Sequence, residues 1–192
     1  MKKWIVVCLL VLGMLMAGCN GIPKTVDLGC CVSNIPVRRT PLLGANSVTV
    51  TTDEFIMTLN TDQKVYSETD VIRIWGTLEY IGDSRTVQIW HACPFMMFGI
   101  RGGKFDLEAF AALIGTSSTL QRGRVYHFEY QKSGGWGANS PDAAFWEAFF
   151  REPDLILPAG TYTVTLFGDF TIGEHEQRRQ SGLFAELTFV VE

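Results

Sequence analysis

Leu155-Ile156-Leu157-Pro158-Ala159-Gly160-Thr161-Tyr162-Thr163-Val164 is the stretch on which the fold turns. An apolar run stops at a proline, Pro-Ala-Gly supplies a turn, and from Thr161 to Phe167 threonines alternate with Tyr162, Val164 and Leu166. Successive side chains of extended backbone point to opposite sides, so this alternation predicts a strand with one buried face. The same period of two recurs at Val48 and Val50, at Phe55, Met57 and Leu59, and at Ile72, Ile74, Leu78 and Tyr80. Further strands are predicted over Thr86 to Cys93, Phe95 to Arg101, Val125 to Lys132 and Ala185 to Val191. Gly82-Asp83-Ser84 between two of these runs predicts a hairpin. Seven or eight short strands separated by turn signals predict an all-β fold, an antiparallel β-sandwich.

The opening stretch resembles the turn and strand that carry the tyrosine corner of immunoglobulin-like domains, with Tyr162 as the matching tyrosine. That resemblance implies a bond from Tyr162 back to upstream backbone. Val164 stands where antibody domains place their second core cysteine, so an inter-sheet disulfide of that kind is not expected. Lys64-Val65-Tyr66-Ser67, Leu78-Glu79-Tyr80-Ile81-Gly82-Asp83 and Leu157-Pro158-Ala159-Gly160-Thr161-Tyr162 together resemble bacterial surface and secreted domains related to the intracellular proteinase inhibitor family. The resemblance implies an immunoglobulin-like sandwich and, as one activity, proteinase inhibition.

One short helix is expected inside the β pattern. Ser140 can cap it, Pro141 suits its first position, Asp142 sits at its positive end and Pro153 ends it. Ala143, Phe145, Trp146, Phe149 and Phe150 fall on an arc of about 160°, with Glu147 and Arg151 opposite. Directly before it, Ser133-Gly134-Gly135-Trp136-Gly137-Ala138-Asn139 places a tryptophan in a glycine-rich loop. Aromatics on such loops anchor partners, so Trp136, Phe145, Trp146, Phe149 and Phe150 are the candidate partner-binding residues. The alternative is that the helix aromatics plug one end of the core. A second helix is expected over Asp106 to Ile114 from its Leu, Glu and Ala content.

The chain starts with Lys2 and Lys3, an apolar run from Trp4 to Met16, and small residues before Cys19. This is the pattern of a signal peptide, and the run is short of the roughly 20 residues a membrane-spanning helix needs. Leu15-Met16-Ala17-Gly18-Cys19 resembles the bacterial lipobox, which implies cleavage before Cys19 and a diacylglyceryl group on that cysteine. Two acyl chains suffice for stable attachment to a membrane. The expected organisation is a signal peptide over 1–18, a lipid-anchored tether over 19–46 rich in X-Pro pairs, and one sandwich domain over 47–192. The expected place is the extracytoplasmic face of the cell membrane, or the outer membrane of a Gram-negative envelope.

Composition narrows the chemistry. The formal net charge is −4, and no basic run interleaved with aromatics is present to track a phosphate backbone, so nucleic acid is not an expected partner. The expected partners are the membrane, through Cys19, and an envelope or secreted protein or polymer. Cys30, Cys31 and Cys93 remain after processing, with their pairing open. His91, His127 and His175 show no metal-ligand spacing, and no metal or other cofactor is implied. His91 falls in phase with Val87, Ile89 and Cys93 and reads as a buried strand histidine, His127 as solvent-facing or inter-strand, and His175 as a loop residue. Cys93 with His91 is the one pairing suited to thiol catalysis, and its apolar neighbours argue against a reactive thiolate. The expectation is a non-catalytic binding module, with proteinase inhibition and an envelope thiol enzyme using Cys93 and His91 as alternatives.

Overall fold

The computed structural model describes residues 37–38, 44–108, 112–132, 134–135, 137, 139–173 and 178–192. Cys19, Cys30, Cys31, Trp136 and His175 lie outside the described residues. In chain order the elements are β1 (Val37–Arg38), β2 (Asn46–Thr51), β3 (Phe55–Thr61), β4 (Val65–Tyr66), β5 (Ile74–Tyr80), β6 (Thr86–Gly102), β7 (Phe105–Glu108), β8 (Ala112–Gln121), β9 (Val125–Glu129), α1 (Ala143–Arg151), β10 (Gly160–Ile172), β11 (Arg179–Gln180) and β12 (Phe184–Val191).

Two sheets face each other. The first runs β1-β9-β5-β3-β2 and the second β4-β12-β10-β6-β7, with β8 also on β6 and β11 on β10. Neighbours are antiparallel except β4 and β12. β3-β5-β9 and β6-β10-β12 follow the A-B-E and C-F-G strand orders of an immunoglobulin-like sandwich, while β2 lies outside β3 and the N-terminal β1 takes the outer edge of β9. The strands beyond the expected seven or eight are mostly two-residue pairings and the additions along β6.

The inward faces form one core. Met57 and Leu59 on β3, Leu78 on β5, Ile89 and Ile100 on β6, and Val164 and Leu166 on β10 are all fully buried. Phe55, Phe170, Phe95 and Phe128 join the sheets through a chain of edge-to-face ring contacts with centroids 5.3–5.7 Å apart. Tyr162 starts β10 as the sequence predicts, and its hydroxyl donates to the Pro158 carbonyl at 2.8 Å. The tyrosine corner is therefore present, with Val164 buried in the core rather than bridged.

Several expectations change. The hairpin at Gly82-Asp83-Ser84 is a crossover, because β5 pairs with β3 and β9 while β6 lies in the opposite sheet. The two strands expected around Cys93-Pro94 are one 17-residue strand, β6. β10 covers one edge of β6, while β8 and β7 share the other. The described residues of the helix expected over Asp106 to Ile114 are strand. Phe105–Glu108 alternate buried and exposed in β7, and Ala112 opens β8. Ladder pairing of Leu107 with Ile100 there overrides a weak helix propensity.

The domain also begins before Ser47. Val37 and Arg38 pair with Tyr126 and Val125, and Asn46 is already in β2. Gly44 donates its N–H to Asn60 Oδ1 at 3.1 Å. A Cβ at Gly44 would lie 2.1 Å from the Thr61 carbonyl oxygen, so only glycine fits this approach to the sheet. The end of the expected tether belongs to the first sheet.

Candidate functional site

α1 lies in the connection from β9 to β10 and closes one end of the sandwich. Its N-cap is Asp142, without a side-chain cap bond, rather than Ser140, whose Oγ accepts the Asp142 N–H at 3.4 Å. Phe105 is the seat of the helix. Its ring is 3 % exposed and has Phe149 at 5.2 Å, Trp146 at 5.5 Å, and Phe145 and Tyr162 at 5.9 Å between centroids. Of the four helix aromatics, Phe149 is buried in the core, while Phe145, Trp146 and Phe150 are half-buried. One ring plugs the core and three stay partly exposed.

The far end of α1 is fixed by Lys132. Its Nζ donates to the carbonyl oxygens of Phe149 and Asp154, each at 2.7 Å, and lies 4.6 Å from the Phe149 ring centre. A cation at a helix C-terminus meets the unpaired carbonyls and the negative end of the helix dipole. Partial burial holds the Lys132 ammonium somewhat below the ordinary lysine pKa. Beyond the helix, Leu155 accepts the Ile72 N–H at 2.9 Å, which ties the exit to the segment leading into β5. At the other end of α1, Lys104 places its Nζ 3.0 Å from the centre of the Phe145 ring.

Two clefts flank this helix. The first, about 690 Å³, lies between β5, β9, residues 130–132 that follow β9 and the turn after α1, with Trp75, His127, Tyr130 and Phe150 in its wall. The second, about 550 Å³, lies between β7 and the glycine loop, with Lys104, Trp146 and Phe150 among its lining residues. Phe150 is therefore common to both. Glycines 134, 135 and 137 line the second cleft, so the loop singled out in the sequence does border it.

The histidines separate into two environments. His91 is buried, with Nδ1 2.6 Å from the Ala92 carbonyl and Nε2 2.8 Å from Ser118 Oγ. A carbonyl only accepts, so Nδ1 carries the hydrogen and Nε2 accepts the Ser118 hydroxyl. Burial, the larger influence, lowers the His91 pKa, and the ring is held neutral. Cys93 is buried two positions along β6, but both ring nitrogens of His91 already have partners. This is the bonding of a structural imidazole.

Of the two places expected for His127, facing solvent or in an inter-strand contact, the structure rules out the first. His127 points to the outer side of the first sheet, yet its side chain is only 5 % exposed. Nε2 lies 3.4 Å from Glu129 Oε1, and Nδ1 is buried with no hydrogen-bond partner. The neighbouring Tyr130 hydroxyl is likewise buried and unpartnered, and burial pushes its pKa up to about 12. Sequence alternation could not find His127, which lies on the phase opposite the core. Among the described residues no cluster of three or more His, Cys, Asp or Glu side chains could hold a metal ion.

No known protein family matches this chain, and no curated protein is significantly similar to it. A crystal structure of a protein from Archaeoglobus fulgidus aligns with 76 % of this chain and 94 % of its own length, at 10 % identity and a TM-score of 0.28, a likeness that carries no argument about fold or activity.

Proposed function

We propose that this chain is a non-catalytic binding module of the bacterial envelope, held at the extracytoplasmic membrane face by a diacylglyceryl group on Cys19. Its recognition surface is α1 with the clefts on either side, and its partner is an envelope or secreted protein or polymer. The observation that carries this reading is the wall of half-buried Phe145, Trp146 and Phe150, on a helix pinned by Phe105 beneath and Lys132 behind. Rigid, partly exposed aromatics beside a cleft are the features that dominate binding energy at interfaces. The hydrogen bonds at both nitrogens of His91 weigh against a thiol mechanism at Cys93.

Two results test this. Cys19→Ala should release the protein from membranes or leave it unprocessed, seen by fractionation and lipid labelling; unchanged lipid-labelled membrane protein would refute the anchor. Separately, the soluble chain from Asn20 onward and its Trp146→Ala variant should be compared in affinity capture from envelope extract and culture medium, after checking that both are folded. Loss of a central aromatic anchor should weaken a genuine partner about 30-fold or more. Equal capture by both chains would remove α1 as the surface. If the captured partner is a protease slowed at stoichiometric amounts, the inhibitor alternative takes over.

A further inference from the structure

We propose that the smaller cleft, between β7 and the glycine loop, binds a neutral sugar ring. This names the ligand class of one half of the recognition surface and rests on that reading.

The charges of the wall select the class, because they are closed among themselves. Arg101 donates from Nε to Asp106 Oδ1 at 3.1 Å and from a terminal nitrogen to Glu108 Oε1 at 2.7 Å. Lys104 lies with its Nζ 3.0 Å from the centre of the Phe145 ring. Asp106, Glu108 and Lys104 line the cleft, and with Arg101 behind them the two cations balance the two carboxylates. Such a wall has no surplus charge to draw an anion or a cation. An apolar ligand would strip water from two carboxylates and an ammonium and return no hydrogen bond. The group that suits the cleft is neutral, carries hydroxyls and has one apolar face.

The positions of the polar groups and rings fit a sugar. Asp106 and Glu108 stand two residues apart on one exposed face of β7, about 6.8 Å along the strand, so each reaches a different hydroxyl. Their side chains are 74 % and 69 % exposed, and Arg101 holds one oxygen of each. The second oxygen of each carboxylate has no partner among the described residues and is left to accept a hydroxyl, a charge-assisted bond. Lys104 supplies a donor beside them. Trp146, half-buried in the same wall, is braced edge-on by Phe105 at 5.5 Å and Phe149 at 5.8 Å between centroids. The negative face of a fixed indole attracts the positively polarised C–H groups of a pyranose. Opposite it, a Cβ at Gly135 or Gly137 would meet nothing within 4 Å, so the loop leaves room for a ring. The volume of about 550 Å³ is that of a small-molecule site.

The test is a titration of the mature lipoprotein in a detergent without a sugar headgroup, read by calorimetry and by saturation-transfer NMR. The probes are glucose, galactose, mannose and N-acetylglucosamine, each also as a trisaccharide. Galacturonate and glucosamine are the charged counterparts, and glycerol is a polyol without a ring face. At least one neutral sugar should bind with a Kd of about 1 mM or tighter, and glycerol at least about tenfold more weakly. The affinity should change less than about twofold between roughly 0.05 and 0.5 M NaCl, because a neutral ligand is not screened. Trp146→Ala should weaken binding about tenfold or more, and Asp106→Asn and Glu108→Gln each about three- to tenfold. Both carboxylates are exposed and their ion pairs contribute little to stability, so these two variants should unfold at the temperature of the natural chain. Preference for a trisaccharide assigns the site to a unit within a polymer, and equal affinity assigns it to a single terminal sugar. Three results would overturn the proposal: no neutral sugar bound at about 10 mM, a charged counterpart bound more tightly and released by salt, or unchanged affinity in both carboxylate variants. If any of these occurs while Trp146→Ala still loses the captured partner, the recognition surface stands and only this ligand falls.

Discussion

Phe105→Ala is expected to destabilise the domain by about 3–5 kcal/mol, the usual cost of truncating a fully buried phenylalanine. The ring is 3 % exposed and touches three aromatics of α1 together with Tyr162 of the tyrosine corner. Its removal leaves a cavity that the surroundings cannot collapse to fill, since β7 is laddered to β6 on one side and Lys132 fixes the far end of the helix on the other. Domains of this size are stable by about 5–15 kcal/mol, so the loss is a large share of the total. Thermal unfolding should show a fall of about 6–20 °C in Tm. Trp146 fluorescence should shift to the red before global unfolding, because the helix loses its seat first. Phe145→Ala is the control: its half-buried ring lies at the edge of the cluster, and its loss should cost about 1 kcal/mol. A cost below about 1 kcal/mol for Phe105→Ala would show that α1 is not carried by this ring.

The sequence made the corner and the helix legible because each is a local device. Pro158, Gly160 and Tyr162 lie within a few residues of one another, and the donor and acceptor of the corner bond are four positions apart. The apolar arc of α1 likewise depends only on helical spacing. Which sheet a strand joins is not local. β5 and β6 both alternate and both flank a turn, so they read as a hairpin, yet their buried faces meet across the core from opposite sheets. The stretch Phe105–Glu108 shows the converse, with helix-forming residues drawn into a ladder by a strand already present beside them.

The helical spacing gave the exposure of the aromatics only in part: Phe145, Trp146 and Phe150 stay partly exposed, and Phe149 is taken by the core. The larger cleft was invisible, because it joins Asp62, Trp75, His127 and Asp154, residues far apart in sequence that only the sandwich brings together. His127 in particular sits at an outward position, which alternation assigns to solvent. A second covering layer on a sheet leaves no mark in the period of the strand beneath it.

His91 should make the domain sensitive to mild acid. Its folded-state pKa lies below the ordinary value near 6.5, chiefly because burial disfavours the charged ring. As pH falls from 6.5 toward that lower value, the unfolded chain takes up a proton that the folded chain refuses. The contribution is therefore whole above 6.5 and is lost as pH drops, at a slope of at most about 1.4 kcal/mol per pH unit. His91→Phe is the informative variant. A phenylalanine keeps the ring contact made with Phe95, 4.6 Å away between centroids, but cannot titrate. It also leaves the buried Ser118 hydroxyl without its partner, at a cost of about 1–3 kcal/mol at neutral pH. Denaturant unfolding between pH 7 and 5 should thus show a variant that is weaker at pH 7 and flatter with pH, so that the two chains converge in acid. Parallel curves would mean that His91 can accept its proton in place, the Ser118 hydroxyl turning so that Nε2–H donates to its oxygen. A thiol base at this position would then regain its chemistry, whereas convergence keeps the imidazole neutral, doubly bonded and structural.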